Sequence, residues 1–130
     1  MLDTNICIEL LRGKAPAVFE RLSRCRMEDV AISSITLAEL QYGVARSARP
    51  AHHAALLAGF CAPLTILPFD HLAAERYGQI RTTLEQAGTP IGPLDTLIAA
   101  HALAEQMTLI TNNEREFRRV PGMTVENWTR

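Results

Sequence analysis

Short apolar segments alternate along the chain with longer stretches whose apolar residues recur every three or four positions. The longer stretches predict helices at residues 4–11, from Pro16, and at 35–45, 50–62, 71–87 and 94–106. The shorter segments predict strands at residues 1–3, 30–32, 64–67, 108–110 and 123–125. In the helix after Ser34, the predicted apolar face consists of Ile35, Ala38, Tyr42 and Ala45.

This alternation of short apolar strands with helices predicts an α/β fold. Strands buried on both faces are typical of a parallel sheet with helices packed on each side. In such folds, ligands bind beyond the carboxyl ends of the strands. Polar residues that directly follow a predicted strand are therefore the first candidates for a functional site.

The composition is that of an ordinary globular domain. The chain has 130 residues, of which 48% are apolar and 21% are charged, so a single domain over residues 1–130 is expected and a disordered chain is excluded. No apolar run reaches the length of a membrane span, and the N-terminal residues lack the pattern of a signal peptide. Three scattered cysteines without metal-ligand spacing complete the prediction of a cytoplasmic protein.

Three carboxylates occupy positions near the predicted strand ends. Asp3 follows the first strand, Glu39 lies in the helix after the second, and Asp95 lies in the first turn of the helix before the fourth. Each has a structural alternative: Asp3 as a helix cap, Glu39 in an S/T-x-x-E capping box with Thr36, and Asp95 as a favourable charge at a helix N-terminus. Taken together, they form an all-oxygen set of the kind that suits Mg²⁺ or Mn²⁺.

The segment after the fourth predicted strand adds further polar candidates. Thr111, Asn112 and Asn113 follow the strand directly, and Glu116 lies three residues beyond Asn113. The alternatives are a strand-end turn for Thr111 and Asn113 and a surface position for Glu116. Two metal ions held by such carboxylates can activate water and stabilise the leaving oxygen of a phosphodiester.

Four stretches of the chain resemble the PIN-domain toxins of the VapC family. They appear in the family's order and span nearly the whole chain: MLDTNIC (1–7), ISSITLAEL (32–40), GPLDTLIAAH (92–101) and LITNNEREF (109–117). The resemblance implies a Rossmann-like sheet of about five parallel strands between helices. It also implies a Mg²⁺- or Mn²⁺-dependent endoribonuclease, a VapB-type antitoxin partner, and a homodimer or larger toxin–antitoxin assembly.

The resemblance also assigns residues. Asp3, Glu39 and Asp95 stand at the positions of the family's three acidic residues. Asn113 stands where many members carry Asp, so either Asn113 or Glu116 completes the acidic site. Thr111 is expected to donate a hydrogen bond to Asp3 or to a metal-bound water.

The motif sequences resemble a subgroup of the family that cleaves tRNA, and the resemblance implies initiator tRNA cut in the anticodon region as the substrate. The net charge of −1 excludes a protein that holds nucleic acid by bulk charge, but twelve of the thirteen basic residues are Arg, which suits bidentate phosphate contacts. The candidate contacts are Arg46, Arg49, Arg81 and Arg115, with surface solubility as the alternative for each. Aromatic residues make up only 5% of the chain, so few stacking platforms for bases are expected.

One surface, one histidine and two competing functions remain open at the level of sequence. An antitoxin helix is expected in an apolar groove, for which the candidates are Leu10, Leu11, Val18, Phe19, Leu40 and Val44, each with core packing as its alternative. His101 lies six residues after Asp95 on another face of the same helix and is expected to be packed or partly exposed. The competing functions are a catalytically inactive PIN-like module that binds RNA or protein, and a DNA-directed nuclease.

Overall fold

The computed structural model describes residues 1–130 as an alternation of helices and short strands. Seven α-helices are present: α1 (Thr4–Leu11), α2 (Pro16–Ser23), α3 (Ser34–Ala45), α4 (Pro50–Cys61), α5 (His71–Gln86), α6 (Pro93–Ala104) and α7 (Glu114–Phe117). Four strands lie between them: β1 (Ala31–Ser33), β2 (Thr65–Leu67), β3 (Leu109–Ile110) and β4 (Val125–Glu126). A 3₁₀ turn spans Met27–Asp29. The predicted α/β class is confirmed.

The strands form two parallel pairs rather than one continuous ladder. Strand β1 pairs with β2, and β3 pairs with β4. The N-terminal segment contributes an isolated parallel bridge between Leu2 and Ile110 and a hydrogen bond of 2.9 Å from Leu2 N to Ala31 O. It does not continue as a strand because the chain enters α1 directly after Asp3. The detail of a five-stranded sheet is therefore not confirmed.

Helices pack on both faces of the strands, as expected for a parallel arrangement. Leu109 belongs to an apolar cluster with residues of α5 and α6, whereas the next residue, Ile110, belongs to a cluster with residues of α1, α3 and α4. Met1 and Leu2 divide between the same two clusters. Successive residues of an extended chain point to opposite faces, so each of these segments separates two helical layers.

The helix boundaries follow local signals in the sequence. Asp70 caps α5 by accepting a hydrogen bond of 3.1 Å from Ala73 N, as expected. The apolar face predicted for α3 is wrong, because Tyr42 is 66% exposed while Thr36 and Leu40 are the buried residues of that helix. No helix combines the length and the apolar character needed to cross a membrane.

Candidate active site

Asp3 lies buried at the point where the N-terminal segment meets α1. Its Oδ1 accepts a hydrogen bond of 2.8 Å from the backbone N–H of Thr4, so the carboxylate does cap α1. Its Oδ2 accepts a second bond of 2.8 Å from Thr111 Oγ1, one of the two partners expected for that hydroxyl. Burial raises the pKa of Asp3, while the two donors act in the opposite direction.

Glu39 is connected to Asp3 through Thr4, whose hydroxyl contacts Glu39 and whose backbone N–H contacts Asp3. Thr4 Oγ1 lies 2.8 Å from Glu39 Oε1 and 3.1 Å from the buried hydroxyl of Thr36. The capping-box alternative for Glu39 is wrong, because α3 begins at Ser34 and its capping side chain is Ser33, which accepts from Ile35 N at 3.0 Å. Glu39 therefore does not cap α3, and its carboxylate is oriented by Thr4 of the neighbouring helix α1.

Asp95 lies half-buried in the first turn of α6 and makes no hydrogen bond to the backbone of that helix. Its pKa is raised to about 7, first by burial and then by a hydrogen bond with the carboxylate of Glu116 that requires the proton of Asp95. The negative charges of Asp3, Glu116 and Glu39 raise it further. A favourable position at the helix N-terminus thus does not offset the surrounding negative charge.

The segment after β3 connects Glu116 to the same cluster. Asn113 donates from its backbone N–H to Thr111 Oγ1 at 2.9 Å, and its side-chain amide donates to Glu116 Oε2. Glu116 acts electrostatically on both Asp3 and Asp95. Asn113 and Glu116 therefore interact with each other, whereas Asn112 is exposed.

Four carboxylates from separate parts of the chain thus influence one another, from the start of α1 and from α3, α6 and α7. No three His, Cys, Asp or Glu side chains form a ready-made ligand set for a metal ion. The chemistry of the cluster nevertheless fits a hard cation, because all its donors are oxygens and the raised pKa of Asp95 shows that its negative charge is uncompensated. It does not fit a Zn²⁺ centre built from Cys and His.

Comparison with known proteins places the chain in a family. The PIN domain family matches residues 1–123. The tRNA(fMet)-specific endonuclease VapC of Shigella flexneri is 43% identical over 129 residues, which are 99% of this chain and 97% of the relative. The enzyme of the same name from Salmonella typhimurium is 45% identical over 130 residues, 98% of this chain and 96% of the relative.

The chain belongs to the VapC family of PIN-domain ribonucleases. Among solved structures, VapBC2 from Rickettsia felis, bound to a DNA fragment from its promoter, contains a chain of the same fold. That chain superposes with a TM-score of 0.93 at 43% identity, and the match covers 98% of the present chain and 97% of the other. The family resemblance expected from the four sequence motifs is therefore confirmed.

In this VapC-family chain, the four arginines predicted to contact phosphate differ in their surroundings. Arg46 lines a groove together with Glu39. Arg81 is paired instead with Glu85 at 2.8 Å and donates to the hydroxyl of Tyr77 at 3.0 Å. Arg49 and Arg115 are exposed and make no ion pair. The structure therefore brings only Arg46 to the same groove as a candidate site carboxylate.

Of the residues predicted to form the antitoxin groove, three line a cavity, whereas Leu10, Val18 and Phe19 do not. A cavity of about 560 Å³ opens between α1, α3 and α4, and Leu11, Leu40 and Val44 line it. Val18 is fully buried in the core, whereas Phe19 is 68% exposed and does not line the cavity. The cavity also contains residues that were not predicted for this surface, including Ile8, Arg12, Lys14, His53, Leu56 and Leu57.

Three further residues of this VapC-family site were not identified from the sequence. Thr4 and Thr36 link α1 to α3 beside Glu39. Ser33, which caps α3, lies 2.7 Å from Nδ1 of the fully buried His101 on α6. A hydroxyl directly after Asp3 is a signal that would have found Thr4, whereas the contact between Ser33 and His101 joins residues far apart in the chain and leaves no local pattern.

Proposed function

We propose that the chain is a Mg²⁺- or Mn²⁺-dependent endoribonuclease that cleaves tRNA, specifically initiator tRNA in its anticodon region. The observation that carries this proposal is the group of four mutually repelling carboxylates, Asp3, Glu39, Asp95 and Glu116. Its support from relatives is the name shared by the Shigella and Salmonella enzymes, which specifies tRNA(fMet). Cleavage of this tRNA inhibits translation because initiation depends on it.

The carboxylates of Asp3, Glu39 and Asp95 would hold the cation, and Glu116 would complete the acidic site. Asn113 is then the residue that orients Glu116 through its side-chain amide. A divalent cation at such a site activates water and neutralises charge on the scissile phosphate. The chain itself holds both oxygens of Asp3 with fixed donors, Thr4 N–H and Thr111 Oγ1, and so directs the remaining lone pairs.

Protons on the carboxylates regulate the same site. With a pKa of about 7, Asp95 carries a proton in part of the molecules at neutral pH when no cation compensates the surrounding charge. Binding of a cation requires this proton to leave, so occupancy of the site and its protonation oppose each other. Thr4 keeps Glu39 in place without adding a positive charge that would compete with a cation.

We further propose a VapB-type antitoxin as the regulatory partner, because the Rickettsia relative was crystallised as a VapBC2 complex. An antitoxin helix would occupy the groove lined by Leu11, Leu40 and Val44, close to Glu39. The proposed assembly is a homodimer or a larger toxin–antitoxin complex, located in the cytoplasm. Residues 1–130 form one PIN domain, and residues 1–3 serve as a fifth, central extended segment that joins the two strand pairs.

The substrate class is tested with purified, antitoxin-free protein. Total tRNA and single-stranded DNA are incubated with the protein in Mg²⁺ and in EDTA, and the products are mapped by primer extension. Cleavage of initiator tRNA in the anticodon loop, dependent on Mg²⁺ and absent with DNA, is expected. Cleavage of DNA alone would identify a DNA-directed nuclease, and binding without cleavage would identify an inactive PIN-like module.

A further inference from the structure

An exposed aromatic ring stands one helical turn beyond Glu39. Tyr42 is 66% exposed, although it is one of the largest apolar side chains of α3. Glu39, Tyr42 and Arg46 follow each other at intervals of three and four residues, so they lie along one stripe of the helix. The stripe therefore begins at a candidate site carboxylate and ends at a cation.

Arg46 connects this ring to the groove. Its guanidinium carbon lies 5.2 Å from the centre of the Tyr42 ring, within the range of a cation–π contact. Arg46 makes no ion pair, and it lines the groove that also contains Glu39. The chain's other arginine–aromatic pair, Arg21 with Trp128, differs because Glu126 lies 3.9 Å from that guanidinium.

Two further cations line the same groove. Arg12 and Lys14, at the end of α1 and just after it, are exposed and make no ion pair. Together with Arg46 they place three uncompensated positive charges in a cavity that also contains Glu39. A polyanion that approaches the acidic cluster needs such charges, because the carboxylates alone would repel it.

We propose that Tyr42 and Arg46 form a nucleotide-binding subsite of the ribonuclease, in which an unpaired RNA base stacks on the Tyr42 ring and Arg46 contacts the adjacent phosphate. The inference rests on the proposed function and names how its substrate is held. Unpaired RNA bases are recognised by stacking on exposed aromatic rings, and a neighbouring arginine adds a phosphate contact. Arg12 and Lys14 extend the phosphate path along the groove.

The position of the ring favours RNA over a protein helix at this subsite. The apolar residues of the groove, including Leu11 and Val44, form a surface that suits a helix, but Tyr42 is not among the residues that line the groove. The ring instead borders solvent, with Arg46 on one side. An exposed ring paired with an uncompensated cation complements a base and its phosphate.

Binding is measured without cleavage, in an Asp95→Asn background and in EDTA. The probe is a short fluorescently labelled single-stranded RNA, compared with an abasic strand of the same length. Tyr42→Leu is expected to weaken binding of the RNA by about fivefold or more, with no effect on the abasic strand. Tyr42→Phe should preserve affinity for both strands, whereas Arg46→Ala should weaken binding of both. Arg21→Ala is the matched control and should leave both affinities unchanged.

Cleavage kinetics of the otherwise wild-type protein complete the test. Tyr42→Leu should raise KM for tRNA and leave the thermal midpoint unchanged, because its side chain is exposed. If the Tyr42→Leu protein bound RNA as tightly as the wild type did, the subsite would be overturned. The proposed function would stand as long as the wild type still cleaved tRNA. A loss confined to antitoxin inhibition would assign Tyr42 to the protein partner and overturn the subsite as well. Absence of both binding and cleavage in the wild type would refute the subsite and the proposed function together.

Discussion

Replacement of Asp95 by Asn should affect the stability of the folded protein and its RNA cleavage in opposite directions. The substitution preserves the size of the side chain, and the new amide can still donate to Glu116, as the protonated carboxyl does. What it removes is one negative charge among four. In EDTA at pH 8, we therefore expect the Asp95→Asn protein to be more stable than the wild type while its RNA cleavage is lost.

The magnitude follows from the raised pKa of Asp95. A rise from 3.8 to about 7 would correspond to about 4 kcal/mol if the group were fully shielded from solvent. Asp95 is only half-buried, so screening reduces the expected gain to about 1–2 kcal/mol. For a chain of this size, that gain raises the thermal midpoint by roughly 4–8 °C.

The dependence on pH has a definite sign. The native state holds the proton of Asp95 more tightly than the unfolded chain does, so the destabilising charge is present above pH 7. It disappears as the pH falls through 7 toward 3.8, and the advantage of the Asp95→Asn protein should shrink over that window. Addition of Mg²⁺ should stabilise the wild type more than the variant, because a cation binds the folded state.

Urea denaturation at pH 5 and pH 8, in EDTA and in Mg²⁺, measures these differences. Asp29→Asn, which alters an exposed carboxylate of the 3₁₀ turn, is the control and should change stability by less than about 0.5 kcal/mol. A variant less stable than wild type at pH 8, or an advantage equal at both pH values, would refute the argument that burial and the neighbouring carboxylates make the charge of Asp95 destabilising.

Three other predictions concern the donors, the cation and the partner. Thr111→Val removes the hydroxyl that donates to Asp3, so it should lower the free energy of unfolding, measured in urea, by about 1–3 kcal/mol. Because this hydroxyl lowers the pKa of Asp3, its loss should also move the acid limb of the kcat/KM profile to higher pH, and an unchanged profile would contradict this. Exhaustive chelation should abolish cleavage, and Mg²⁺ or Mn²⁺ but not Zn²⁺ should restore it; activity that survives chelation would exclude the cation. High Mg²⁺ and Asp3→Asn should each weaken antitoxin binding measured by titration, because we expect a basic antitoxin side chain to bind the carboxylates. An antitoxin affinity that changes with neither would indicate that inhibition occurs elsewhere on the protein.

The sequence was sufficient for those features of the fold that depend on local signals. The spacing of apolar residues located the major helices, and Asp70 marked the start of α5 correctly. The short helix α7 was missed because four residues are too few to display a period. The apolar face of α3 was misassigned because Tyr42 was counted as an apolar residue but is exposed in the fold. Which residues of a helix become buried depends on how the neighbouring helices pack against it.

The candidate site was predictable in its residues but not in its connections. Asp3, Glu39 and Asp95 could be named because they follow or precede strands and match a family pattern. The hydroxyl of Thr4 between two helices, and the interaction of Asn113 with Glu116, depend on distances that a one-dimensional pattern does not contain. The same is true of the raised pKa of Asp95, which results first from burial and then from the carboxylates of other segments.

The most direct test of the account is single-turnover cleavage of initiator tRNA at saturating Mg²⁺ by four variants: Asp3→Asn, Glu39→Gln, Asp95→Asn and Glu116→Gln. Glu75→Gln, which alters an exposed carboxylate of α5, serves as the control. If the four carboxylates form one cation-dependent site, each variant should fold and lose about a hundredfold or more in rate, as is typical when a group that stabilises the transition state is removed. The control should cleave at the wild-type rate. A folded Asp3→Asn or Asp95→Asn protein that cleaves as fast as the wild type would contradict the account.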